Sequence, residues 1–142
     1  MASRVSCGVA IAALFLAGCG SEKSESEQER EHADSPAAQV VRHFYEAAND
    51  ADGREACGLL TDAGIRTVVR VKSRAECVGA VDAFERGSFE SDEGDLVEIE
   101  GVDENEDGFD VDAVVKGRTE GTYTVTRRGG RLLIDGFRSK EG

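Results

Sequence analysis

The sequence predicts one α+β domain, with helices first and a curled antiparallel sheet after them. Two observations carry this. From Pro36 to Gly87 apolar residues recur at steps of three and four, the period of a helix buried on one face, and after Gly87 they alternate as they do in a strand. The alternating segments are joined by short polar or glycine-bearing turns, which connect antiparallel neighbours.

Ser35-Pro36 has the form of an N-cap followed by proline at the first helical position. Ala37, Val40, Val41, Phe44, Tyr45 and Ala48 then make one stripe on a helix predicted to end near Asn49. Asp52-Gly53 is the expected break, and a short helix from Arg54 to Leu60 turns Ala56, Cys57, Leu59 and Leu60 inward. Thr61-Asp62 caps a third helix carrying Ile65, Val68 and Val69, whose β-branched side chains leave its end undefined. Ser73-Arg74-Ala75-Glu76 has the spacing of a capping box, and Cys77, Val78, Val81 and Phe84 continue an apolar face to Gly87.

In the second half, Val97, Ile99 and Gly101 alternate with Leu96, Glu98 and Glu100. Phe109, Val111, Ala113 and Val115 alternate with Asp110, Asp112, Val114 and Lys116, beyond a polar turn from Asp103 to Gly108. A third strand covers about Glu120 to Thr126, and Arg128-Gly129-Gly130 turns it into a fourth from Arg131 to Phe137. The N-terminal helices are therefore expected to pack on one face of a curved antiparallel four-stranded sheet, leaving the other face polar.

Residues 20–35 contain no aliphatic side chain larger than alanine and read as a disordered acidic tether, with a transient helix through Glu25 to Glu31 and a solvated His32. Ahead of it stand Arg4, the uncharged apolar run Val9 to Leu16, and the small residues Ala17 and Gly18, the layout of an export signal. The apolar stretch is shorter than the roughly 20 residues that span a bilayer. Leu16-Ala17-Gly18-Cys19 resembles the lipobox of bacterial lipoproteins. That resemblance implies removal of residues 1–18, a diacylglyceryl group on Cys19, and a lipid anchor at the extracytoplasmic face of a bacterial membrane; two acyl chains hold stably where one does not. The expected organisation is a signal peptide (1–18), a lipidated cysteine and tether (19–35), and a folded domain (36–142).

The chain carries 29 acidic and 17 basic residues, a net charge of −12, and its nearest approach to a basic patch is the scatter Arg66, Arg70, Lys72, Arg74. Nucleic acid is a poor partner for such a surface. With Cys7 in the signal and Cys19 acylated, Cys57 and Cys77 remain. A two-cysteine metal site lacks histidine or carboxylate company at helical spacing and a redox pair usually has Cys-x-x-Cys spacing, so a structural disulfide is expected in an oxidising compartment.

Asp103, Asn105, Asp107 and Gly108 match the first, third, fifth and sixth places of an EF-hand loop, but Val114 stands at the twelfth, where a bidentate glutamate belongs. A charged hairpin turn is expected, and no metal ligand is assigned. The nucleophile-elbow, phosphate-loop and zinc-helix motifs do not occur, and neither a catalytic nor a cofactor-binding residue is assigned. His43, beside the first apolar stripe, and the aromatics Tyr45 and Tyr123 are the residues expected to line a pocket.

The segments Val40 to Asp52, Ala56 to Thr61 and Tyr123 to Phe137 together resemble the nuclear transport factor 2-like superfamily, which includes the SnoaL-like polyketide cyclases. The resemblance implies a cone-shaped α+β fold whose cavity or sheet face serves isomerases, dehydratases, cyclases and non-enzymatic domains. Its enzymes place an aspartate with a histidine or tyrosine inside the cone. Here Asp110 and Asp112 alternate opposite to Phe109 and Val111, and Arg131 and Leu132 stand where the family has an aromatic residue. The functional expectation is a lipid-anchored binding or accessory domain for a small ligand or an envelope protein, with a small-molecule isomerase or hydrolase using the cone cavity as the alternative.

Overall fold

The helical and alternating halves meet face to face in the structure, a computed structural model that describes residues 25–86, 95–116 and 120–141. The export signal, Cys19 and the start of the tether lie outside the described residues. The chain runs through α1 (Glu25–Ala33), α2 (Pro36–Asn49), α3 (Gly53–Gly58), α4 (Asp62–Gly64), a π-helix (Ile65–Val69) and α5 (Arg74–Asp82). The strands β1 (Val97–Glu104), β2 (Gly108–Val115), β3 (Glu120–Arg128) and β4 (Arg131–Ser139) follow. Among the described residues, no helix is long and apolar enough to cross a membrane.

Local chemistry sets the helix starts. Ser35 Oγ accepts from the Ala38 N–H at 3.1 Å, with Pro36 in the first turn of α2. Asp52 Oδ1 accepts from Glu55 N–H at 3.0 Å, and Thr61 Oγ1 from Gly64 N–H at 3.0 Å, capping α3 and α4. Ser73 accepts from Glu76 N–H at 3.1 Å, but the Glu76 carboxylate reaches back to Lys72 N–H at 2.8 Å, one residue beyond the reciprocal partner of a capping box. Gly53 opens α3 rather than ending α2, because a Cβ there would stand 2.4 Å from the Val78 carbonyl oxygen, where α3 meets α5. The α5 helix stops at Asp82, short of the expected Gly87.

Within the expected tether, where a transient helix is expected through Glu25 to Glu31, residues Glu25–Ala33 form α1. Glutamate, glutamine, arginine and alanine are good helix formers, and the helix rests alongside the edge strand β1.

The four strands pair in sequence order, each antiparallel to the next. Register shifts between Ile99 and Gly101 and between Thr124 and Val125 add local twist and curve the sheet. Gly129 and Gly130 turn β3 into β4 with φ of 57° and 77°, positive at both positions as a type I′ hairpin requires. The inner face presents Val97, Ile99, Val111, Ala113, Val115, Tyr123, Val125 and Ile134, all buried against the helices. Ala37, Ala38, Ala47 and Ala48 of α2 are also buried, and their small side chains let α2 lie close to its neighbours.

Two devices tie the short helices down. Cys57 and Cys77 form a disulfide with 6.1 Å between Cα atoms, joining α3 to α5. The link from α3 to α4 pairs with the edge of β4: Ile134 N–H donates to Leu59 O at 2.8 Å, and Thr61 N–H donates to Ile134 O at 3.0 Å. Arg74 completes the joint by donating to the carbonyl oxygens of Cys57 and Leu60 at the end of α3.

Candidate functional site

An apolar pocket of about 240 Å³ opens between α2, the π-helix and the end of α5. Phe44, Tyr45 and Ala48 come from the buried stripe of α2, Val68 and Val69 from the π-helix, and Val81 and Phe84 from α5 and the turn after it. The π-helix carries one more residue per turn than an α-helix would allow, and such turns recur at functional sites. Here it leaves both adjacent valines half-buried on the pocket wall. It ends at Arg70, held at φ 65° in the left-handed region.

Aromatic rings connect the pocket wall to the sheet. Phe44 and Tyr45 meet edge-to-face with centroids 4.9 Å apart, and Tyr45 meets Tyr123 at 6.0 Å and 82°. The Tyr45 and Tyr123 hydroxyls are 2.6 Å apart within the core, and Tyr123 lies 4.8 Å from Phe137. Both phenols thus satisfy a polar tip inside apolar surroundings.

The structure brings together two of the three residues singled out from sequence. His43 stands apart on the outer face of α2, its Nε2 2.5 Å from Glu55 Oε1, with both side chains about half exposed (50% and 49%). The strand acids also face away from the helices: Thr122 Oγ1 donates to Asp112 at 2.5 Å and Thr124 Oγ1 to Asp110 at 3.4 Å. Beside them Lys140 bridges Glu100 at 2.7 Å and Glu120 at 2.6 Å. The hydrogen bond to Glu100, then that to Glu120, hold its ammonium protonated well above the ordinary lysine range.

In the acidic turn, Asn105 Oδ1 accepts from the N–H groups of Asp107 and Gly108, both at 3.0 Å, so the side chain closes the turn on itself. Among the described residues, no group of three or more histidine, cysteine or acidic side chains could hold a metal ion. The described residues lining the apolar pocket include no carboxylate, imidazole, amine or guanidinium. Such a lining suits an uncharged apolar group, because burying a charge without a partner is strongly unfavourable.

Sequence reasoning placed Phe44, Ala48, Val68, Val69, Val81 and Phe84 in the core without distinguishing them as pocket wall. The one signal in their order is the β-branched pair Val68-Val69 at a helix end that periodicity does not define. Comparison of the chain with protein-family models, with curated proteins and with solved structures finds no match.

Proposed function

We propose that this chain is a lipid-anchored extracytoplasmic binding domain whose pocket between α2, the π-helix and α5 takes a small uncharged apolar ligand. The observation that carries this is a cavity of about 240 Å³ whose described lining is aliphatic and aromatic side chains, with the Tyr45 phenol as the one polar side chain among them. That volume lies below the roughly 300–1,000 Å³ of sites for drug-sized ligands. It lies above the roughly 150 Å³ that admits benzene, so a single ring or a short chain fits. Binding is preferred to the isomerase or hydrolase reading because the described lining supplies no carboxylate, imidazole or amine, and its one phenol, Tyr45, is hydrogen-bonded to Tyr123 at 2.6 Å.

The lipobox resemblance at Leu16 to Cys19 supports the anchor, and the Cys57–Cys77 disulfide is in keeping with an oxidising compartment. The strongly acidic composition favours a domain that stands off anionic headgroups. The nuclear transport factor 2-like resemblance supports a cone in which this pocket is the ligand cavity.

The chain has two tyrosines and no tryptophan, so tyrosine emission reports directly on the pocket wall and its neighbour in the sheet. Titration with cyclohexanol or 1-hexanol is expected to change that emission saturably, and Val69→Phe, which enlarges a half-buried lining side chain, is expected to weaken the effect. Absence of a saturable change in the wild type would refute the reading. For the anchor, intact mass of membrane-extracted protein is expected to show a diacylglyceryl group on Cys19; an unmodified cysteine there counts against it.

A further inference from the structure

We propose, resting on the pocket reading above, that the ligand held between α2, the π-helix and α5 is an uncharged single aromatic ring, selected over a saturated ring of the same size. The pocket is richer in aromatic side chains than apolar character requires. Three of its seven described lining residues, Phe44, Tyr45 and Phe84, are aromatic, in a sequence that is 6% aromatic. They belong to two elements, since Phe44 and Tyr45 lie on α2 and Phe84 follows α5.

The two rings of α2 are fixed in orientation. Phe44 and Tyr45 are both buried, with centroids 4.9 Å apart and planes crossing at 80°. Tyr45 meets Tyr123 at 82°, and the Tyr123 centroid lies 4.8 Å from that of Phe137. A series of four rings therefore runs from β4 through β3 to the pocket wall. An aromatic ring is negative on its face and positive at its edge, so rings attract one another in offset-stacked and edge-to-face arrangements. A flat ligand lying parallel to the Phe44 ring stands nearly perpendicular to the Tyr45 ring, and the reverse holds equally. Either pose gives one stacked and one edge-to-face contact with the wall. A saturated ring fills the same volume but gains only dispersion and burial.

Phe84 is half-buried and adds the third ring. Aromatic faces also attract cations. The described lining holds no carboxylate to replace the water such a cation would lose, which favours a neutral ring.

The full chain, with its valine methyl groups labelled with ¹³C, allows the signals of Val68, Val69 and Val81 to be followed during titration with benzyl alcohol, cyclohexylmethanol and tetramethylammonium chloride. Each alcohol's dissociation constant is referred to its own partition between water and cyclohexane, which removes plain hydrophobicity from the comparison. On that scale benzyl alcohol is expected to bind about two- to tenfold more tightly than cyclohexylmethanol, the worth of one aromatic pair. Phe84→Leu is expected to lower this ratio about twofold or more. Tetramethylammonium is expected to bind more weakly than benzyl alcohol. The proposal is overturned by a wild-type ratio of one or less, by a ratio unchanged in Phe84→Leu, or by tighter binding of tetramethylammonium. Saturable binding of both alcohols with equal corrected affinity leaves the pocket reading standing and removes only the aromatic preference; if neither alcohol binds, both fall. If Phe84→Leu does not fold, the wild-type ratio still decides.

Discussion

Reduction of the Cys57–Cys77 bridge is expected to lower the stability of the folded domain by about 3 kcal/mol. The two cysteines are 20 positions apart, and closing a loop of that length removes roughly 11 cal/mol/K from the unfolded chain, or about 3 kcal/mol at 25 °C. Because both residues are fully buried at 0% exposure, reduced thiols would still fill the same space between α3 and α5. Reduction therefore isolates the cross-link from the packing. The double variant Cys57→Ala with Cys77→Ala removes the sulfur atoms as well and is expected to lose about 1–2 kcal/mol more through the cavity left behind.

Urea unfolding followed by circular dichroism, with and without a reductant, measures both steps. The reduced chain is also expected to show a somewhat steeper dependence on urea, since its unfolded state exposes more surface. In a thermal scan the same loss corresponds to a fall of roughly 10–20 °C. A loss below about 1 kcal/mol on reduction would refute the loop-closure reasoning. Equal stability of the reduced wild type and the alanine double variant would refute the packing step.

Gly64→Ala is expected to destabilise the domain by more than about 2 kcal/mol, because its Cβ would stand 2.2 Å from the Ile134 carbonyl oxygen and backbone would have to move. Gly58→Ala, where a Cβ would meet nothing within 4 Å, is the control and is expected to be neutral or to stabilise by up to about 1 kcal/mol in the same urea measurement. Arg70→Gly relieves a left-handed residue at φ 65° and is expected to raise stability by roughly 0.5–1 kcal/mol after the entropy of the unfolded glycine is subtracted. A loss of stability in Arg70→Gly would mean that the arginine side chain contributes more than its backbone costs.

The helix starts were legible because caps are local: Ser35, Thr61 and Ser73 each hold an N–H three residues ahead, and nothing distant is needed to see it. The strands were legible by alternation, and the polar turn at Asn105 by composition. The phase of β4 was not. Leu132, Ile134 and Phe137 are separated by two and then three positions, yet Ile134 and Phe137 pair with Val125 and Tyr123 on the same inner face, because Asp135 is extruded at the bulge. What holds that bulge is distant in sequence: Thr61 Oγ1 donates to Asp135 Oδ1 at 2.7 Å, while Leu59 and Thr61 bind the Ile134 backbone.

The pocket was illegible for a related reason. Apolar residues at helical spacing specify that a surface is covered, but not whether the side chains opposite meet or stop short of one another. His43 shows how coarse the helical stripe is, since it precedes the buried Phe44 by one position and yet faces Glu55 outside. Glu25 to Ala33 offered only composition, and its helix lies along β1 without an apolar stripe of its own to announce it.

The attachment of the helices to β4 also sets a timetable. The α2, α4 and π-helix segments, together with Leu59 to Thr61, all lean on the last strand of the sheet, whereas β1, β2 and β3 can pair with one another as soon as each follows its predecessor. A chain delivered from its N-terminus first, whether by synthesis or by threading through a pore, has its helices early but lacks their seat until residue 134 arrives. Until then Leu60 lacks the strand it bridges and the π-helix the strand it packs on, while α2 already has β1 and β2 beside it. The final hairpin, turned at Gly129 and Gly130, thus brings in the strand on which the two halves join.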